Sequence, residues 1–422
     1  MTKVLIKSVT ISNKASSHHG KLVDVLISAG EIKQIGKIKE EVKNTIDGKG
    51  MILSNGWVDM RAWLADPGLE HKEDLESGRN AAADGGFTHV AVLPNNQPVT
   101  QSKNDVGYIN SKNPVSLVQL HPIAAVTIGT KGEDLTEMID LHTAGAVAFS
   151  DGLKPIWHSD ILLKSLLYLQ KFDGLLIDRA EDLHLNMFGV MNEGIESTML
   201  GMKGMPNLSE DLIIQRNLSI LAYSGGRLHL SCLSTEKSVA LIRAARKKGL
   251  TITCDVASYQ PLLADSALVD FDTSYKVNPP LRTQKDNKAL IKGLQDGTID
   301  VIVSNHTPHD EECKKLEFDL ADFGITSLQT VAANIAALSQ KVELHVLIEK
   351  VTTNPRKLLG LDDSPIEEGV QADLTLFDPS AKWKLNAASN KSKSVNSPYF
   401  NQDLTGKAVA VFNNGQSYIS KA

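Results

Sequence analysis

The spacing of apolar residues changes period twice along the chain. Over residues 3–11 and 21–27, apolar and polar positions alternate, as in a strand with one covered face. Ala29-Gly30-Glu31 supplies a turn before another short strand at 32–35. The alternation returns at the far end, over residues 372–377, 408–412 and 417–419, with Asn413-Asn414-Gly415 as a hairpin turn. Two strand-rich ends around a different middle predict that the termini meet in one small β domain.

The middle interleaves short apolar runs with helical patterns. Candidate strands are 57–63, 89–95, 115–124, 146–150, 175–180, 227–233, 251–257 and 300–306. Amphipathic helices fall between them, for example at 160–171, 210–222, 236–248 and 287–295. Eight strands in βα alternation predict a parallel sheet closed into a (β/α)8 barrel. An open doubly wound sheet is the alternative, but no Gly-x-Gly-x-x-Gly follows the first strand. The expected organisation is residues 1–53 and 361–422 as the two parts of a small β-sandwich, with the barrel over 54–360. The Ser-, Asn- and Lys-rich stretch 387–398 reads as a surface loop, and the charged stretch 308–324 as a mobile lid.

Composition narrows the class. The chain has 422 residues, of which 42% are hydrophobic and 22% charged, enough to bury a large core and unlike a disordered protein. Lys+Arg 44 against Asp+Glu 50 gives a net charge of −6 with no basic tract, which argues against nucleic acid as a partner. No apolar run nears the roughly 20 residues needed to span a membrane. The first residues alternate like a strand and lack a signal peptide's long apolar stretch. Three cysteines, Cys232, Cys254 and Cys313, form no CxxC pair, which fits a reducing cytoplasm without a disulfide framework.

Barrel chemistry gathers at the C-terminal ends of the strands. Those ends read Asp59-Met60-Arg61-Ala62-Trp63, Pro94-Asn95-Asn96, Phe149-Ser150-Asp151-Gly152, Asp178-Arg179-Ala180-Glu181, His229-Leu230-Ser231-Cys232 and Ser304-Asn305-His306. With Gly56-Trp57-Val58-Asp59, Asp66-Pro67-Gly68, His71-Lys72-Glu73, Asn278-Pro279-Pro280-Leu281-Arg282 and His306-Thr307-Pro308-His309, they make the chain resemble a dihydroorotase of the amidohydrolase superfamily over nearly its whole length.

The resemblance implies a metal-dependent cyclic-amide hydrolase of pyrimidine biosynthesis, yet most of the implied metal shell is replaced. Active relatives hold zinc with a His-x-His pair after strand one, where positions i and i+2 face one side. Here that pair is Arg61 and Trp63. The strand-five and strand-six histidines fall on Arg179 and Cys232, and the strand-eight aspartate, ligand and general base, falls on Asn305. Only Asp151 matches. Arginine has no lone pair to donate, and asparagine cannot take a proton as a carboxylate can. Without a metal to lower the pKa of water from about 15.7 to about 7, no hydroxide is available at neutral pH. The family's substrate-gripping arginine falls on Ala65, whereas Asn95, Asn278 and His309 remain as a residual substrate pocket.

The resemblance therefore implies a non-catalytic homologue without its zinc, cytoplasmic and oligomeric. Some relatives of this kind assemble with aspartate transcarbamoylase as structural partners. Two alternatives stay open: a working cyclic-amide hydrolase with a metal rebuilt on Asp151, Cys232 and His229, and a sensor of a small anion. Plainer roles stand beside these. His229 reads as a satisfied strand histidine, Cys232 as a small buried hydrophobe, and Asn95 and Asn278 as loop braces. His306 and His309 can equally hold the strand-eight loop, and His18-His19 lie in a turn. Asp151 is expected to pair with Arg61, Arg179 or both, with Trp63 filling the remaining space.

Overall fold

A computed structural model describes residues 3–113 and 115–420. The N-terminal part supplies five strands: β1 (Val4–Ile11), β2 (Leu22–Ser28), β3 (Glu31–Gly36), β4 (Asn44–Asp47) and β5 (Ile52–Asn55). The barrel begins with β6 (Trp57–Ala62), β7 (Phe87–Val92), β8 (Gln119–Ala124), β9 (Ala148–Phe149) and β10 (Leu175–Asp178). A short parallel ribbon, β11 (Met191–Asn192) with β12 (Gly204–Met205), stands outside it. The barrel continues through β13 (Arg227–Leu230), β14 (Ile252–Ala257) and β15 (Val301–Val303). The chain ends with β16 (Leu374–Lys384), β17 (Asp403–Asn413) and β18 (Gln416–Ile419).

All eight expected barrel strands form, and they pair in parallel in chain order from β6 to β15. The ring closes at a parallel bridge between Ala62 and His306, where the Trp63 N–H donates to the His306 carbonyl at 2.9 Å. This is a (β/α)8 barrel. Several strands are shorter than the apolar runs suggest. Pro94, which has no N–H to offer, follows soon after β7 ends. Residues 115–117 are held instead by side chains of Asn413, Asn414 and Gln416, which donate to their carbonyls.

Alternation along the strands builds two cores. Trp57, Val90, Leu176, Leu228 and Val256 face outward under the helices, while Val58, Met60, Ala91, Ile123 and Val303 fill the barrel itself. The helices begin where polar caps are available. Thr235 accepts from the Ser238 N–H at the start of Glu236–Lys247, and Thr283 with Asp286 forms a capping box for Gln284–Gln295.

The two ends of the chain share one hydrogen-bonded sheet. Its order is β18-β17-β16-β5-β1-β2-β3, with β4 also paired to β1, so β5 lies between the first and the C-terminal strands. Both hairpin turns use left-handed residues: Ala29 and Gly30 (φ 56° and 82°), and Asn414 and Gly415 (φ 51° and 72°). Leu53, Ile6, Val9, Leu374, Leu376 and Ala410 make its core. The sheet is fixed to the barrel by Asp373, which accepts from Thr88 Oγ1 (2.6 Å), Arg356 Nη2 (2.7 Å) and His89 Nε2 (3.0 Å).

Two loop expectations change. Residues 308–324 are stitched down rather than free. Lys276 Nζ donates to the Phe318 and Asp319 carbonyls (2.7 and 3.0 Å), and Lys314 Nζ to those of Asp322 and Gly324 (2.7 and 3.2 Å). Residues 387–398 do not simply run over the surface. Ser394, Asn396 and Ser397 are buried; Ser394 Oγ donates to the Lys72 carbonyl and Asn396 Nδ2 to that of Thr307. Polar residues here answer backbone groups at the barrel mouth, so their polarity signals pairing as much as exposure. Among the described residues, no helix is long and apolar enough to cross a membrane.

Candidate functional site

A cavity of about 310 Å³ opens at the barrel mouth, where the strand ends converge. Arg61, Trp63, Arg179, Asn278, Asn305 and His309 all line it, so the barrel brings most of the singled-out residues together. Asp151, Cys232 and Asn95 lie outside its lining.

Arg61 leaves the end of β6 only 1% exposed. Its Nε donates to Asn305 Oδ1 at 2.8 Å, Nη2 to the Gly152 carbonyl at 3.1 Å and Nη1 to Ser231 Oγ at 3.5 Å. Asn305 is held in turn because its Nδ2 donates to the Tyr259 hydroxyl at 2.8 Å. Gly152 is in the left-handed region (φ 63°), and a side chain there would collide with Asn95 Oδ1. Arg179 Nη2 donates to the Leu153 carbonyl at 2.6 Å and pairs with Glu181 Oε2 at 2.6 Å. The two guanidinium groups thus bind consecutive carbonyls of the loop after β9. The Trp63 indole N–H donates to the Asn95 carbonyl at 3.1 Å, and its ring lies 5.8 Å from that of His309.

The expected Asp151–arginine pair does not form. Asp151 turns away from the cavity and accepts from the Val126 and Thr127 N–H groups (3.0 and 2.9 Å) and the Thr127 hydroxyl (2.5 Å). Two N–H groups left without strand partners where β8 ends are satisfied this way, while Arg61 takes neutral acceptors and Arg179 takes Glu181 and a carbonyl instead. Burial outweighs these donors and pushes the Asp151 carboxyl up to about 6. Asn95 braces the same loop, with Nδ2 to the Asp151 carbonyl (3.0 Å) and Oδ1 taking the Leu153 N–H (2.8 Å).

A metal rebuilt on Asp151, Cys232 and His229 finds no support in this geometry. His229 is fully buried between Thr253 Oγ1 and Asp255 Oδ2, each at 2.9 Å. Burial pushes the Cys232 thiol up to about 12, which disfavours the thiolate a metal needs. Among the described residues, one His/Cys/Asp/Glu cluster has all its donor atoms within 4.8 Å: His309, Cys313 and Asp322. An ammonium already serves it. Lys72 Nζ lies 3.0 Å from His309 Nδ1, 3.2 Å from Cys313 Sγ and 3.8 Å from Asp322 Oδ2. Burial and Lys72 hold the His309 imidazole down to about 4, so it is neutral at pH 7.

At the mouth itself, two guanidinium groups, an indole and an amide stand where the family places metal ligands. None of them is an anionic donor, and the arginines repel a cation. The residues present do not fit a divalent ion there.

Asn278 Nδ2 faces the Glu181 carboxylate at 3.3–3.4 Å. His306 is buried between the Ser327 N–H, which donates to its Nδ1 (3.1 Å), and Glu73 Oε2, 3.3 Å from its Nε2. His18 lies 3.7 Å from Glu367 in a turn of the small sheet. Tyr259, Lys72 and Glu181 were not among the expected site residues. Tyr259 had a signal, since it lies two residues past β14 at a strand end like the others.

A closed eight-stranded barrel with its polar cluster at the strand C-termini, joined to a sheet from both termini, defines an amidohydrolase-type protein. The L-hydantoinase (dihydropyrimidinase) of Arthrobacter aurescens shares this fold, with a TM-score of 0.85 at 22% identity over 100% of this chain and 97% of that one. So does the dihydropyrimidinase of Brevibacillus agri, with a TM-score of 0.81 at 19% identity over 99% and 95%. A dihydro-orotase-like family model matches residues 50–238. The chain is 39% identical over 417 residues to a dihydroorotase of Acetivibrio thermocellus, covering 98% of each, and 39% identical over 399 residues to one of Geotalea daltonii, covering 93% and 94%. The chain belongs to the dihydroorotase family.

Proposed function

We propose that this chain is a non-catalytic member of its family, serving pyrimidine biosynthesis as a structural partner of an aspartate transcarbamoylase. The observation that carries the first half is Arg61. Its guanidinium occupies the strand-one position of a metal ligand and is fixed there by Asn305, the residue standing in for the family's general base. A positively charged group that cannot ligate, bonded to an amide that cannot take a proton, opposes hydroxide formation at this mouth. The second half rests on the implied behaviour of such relatives, which keep an assembly surface while the pocket changes.

The test uses the full chain, expressed with zinc and never exposed to a chelator. Elemental analysis is expected to find far less than one zinc per chain, and dihydroorotate hydrolysis is expected to stay at background. About one zinc per chain with measurable turnover overturns the reading. Pull-down from native lysate is expected to retain an aspartate transcarbamoylase; a clean monomer that retains none removes the structural role.

A further inference from the structure

We propose that the cavity at the barrel mouth binds a small planar monocarboxylate, with the anion between Arg61 and Arg179. The inference rests on the reading that no divalent ion takes these positions, and it goes beyond that reading by naming what does.

The charges around the cavity do not balance. Glu181 answers Arg179, and Asp322, on the rim, lies beside Lys72. Arg61 has no such partner. Among the described residues no carboxylate oxygen comes within 4.0 Å of its guanidinium, whose acceptors are an amide, a carbonyl and a hydroxyl. Asp255 reaches it only through Ser231, whose hydroxyl donates to Asp255 Oδ2 at 2.8 Å. A buried guanidinium without an anion is costly to maintain, and one negative charge from outside would match it.

A second, independent observation points the same way. Arg179 is buried and lines the cavity, yet its Nε has no hydrogen-bond partner. An N–H in that state waits for an acceptor. Guanidinium groups present planar forks whose parallel N–H groups match the two oxygens of a carboxylate. Trp63, Leu153, Val277, Phe323 and Ile325 make an apolar part of the wall beside the polar Asn278, Asn305, Thr307 and His309, so the body of the ligand should be compact with an apolar face. A volume of about 310 Å³ sets the size at the small end of ligand pockets.

Calorimetric titration of the full chain with sodium benzoate, against the neutral isostere benzamide, tests the charge requirement. The expected result is one-to-one, saturable benzoate binding with a Kd below about 1 mM, and none for benzamide. Arg61→Met is expected to weaken benzoate at least about tenfold, Arg61→Lys less, and the exposed Lys285→Met not at all. Equal binding of both isosteres, no saturable benzoate binding, or an Arg61→Met variant that binds as well as the parent overturns the proposal. If the Arg61 variants fail to fold, the isostere pair decides on the unaltered chain. Zinc uptake with dihydroorotate turnover would instead strike the non-catalytic reading, so the two failures are distinguishable.

Discussion

Asp151 is held by three donors, and burial still raises its carboxyl to about 6 from an ordinary value of 3.8. The folded state therefore binds a proton more readily than the unfolded chain between those values. The stability from this group is fully present below about pH 4 and is lost as pH rises through about 6. Replacing Asp151 by Asn keeps an acceptor for Val126 and Thr127 while removing the charge. The difference in stability between parent and variant is expected to shift in favour of Asp151→Asn from pH 4 to 7, by about 3 kcal/mol at most. Thermal melts across that range check it, and parallel curves would refute it. Asp151→Ala removes the acceptor as well and is expected to cost about 1–3 kcal/mol through two orphaned N–H groups, whatever the arginines do. The identities of the strand-end residues are legible in the chain because positions i and i+2 share a face and the barrel fixes which face is the mouth. Side-chain direction is not legible. Nothing in residues 145–155 announces that two N–H groups at 126 and 127 compete with the arginines for one carboxylate.

The segment 308–324 shows what period and composition can and cannot reveal about an element. Its charges suggest solvation, and most of its side chains are indeed polar. Its anchor, however, is Lys276, whose ammonium caps two carbonyls more than 40 residues later in sequence. Such a long-range cap leaves no mark in a local window. Lys276→Met keeps an apolar stem of similar length and removes the ammonium, both as donor and as the cation 5.5 and 4.8 Å from the Phe318 and Phe323 ring centres. Amide exchange over residues 316–324 is expected to speed up at least about tenfold, with a global loss of only about 1–2 kcal/mol. Exchange unchanged in that segment would show that Lys276 is not its anchor. The eight barrel strands are legible for the opposite reason. Each carries its own burial signal, and only the ends, set by prolines and side-chain bonds from elsewhere, drift from the expected limits.

For the whole molecule, the junction between barrel and terminal sheet runs through Asp373. Arg356, and after it His89, holds its carboxyl well below the usual carboxylate range, against the cost of burial. A depressed carboxyl contributes stability that is present above its unfolded value of 3.8 and lost as pH falls below it. Asp373→Asn is expected to cost about 2–3 kcal/mol at pH 7 and to flatten the acid limb of the stability curve below about pH 4. Melts of both proteins from pH 3 to 7 check this; an acid limb as steep as the parent's would count against it. The seating of β5 between β1 and β16 has a further consequence, in time rather than in space. A ribosome releases β1 to β5 about 300 residues before β16 exists, so one edge of β5 stays open through most of translation. A chain ending at Ala372 is expected to sediment as aggregate where the full chain stays in the supernatant. The strands nearest the C-terminal end are thus the ones that close those nearest the N-terminal end, and a chain cut short between them keeps an unfinished edge.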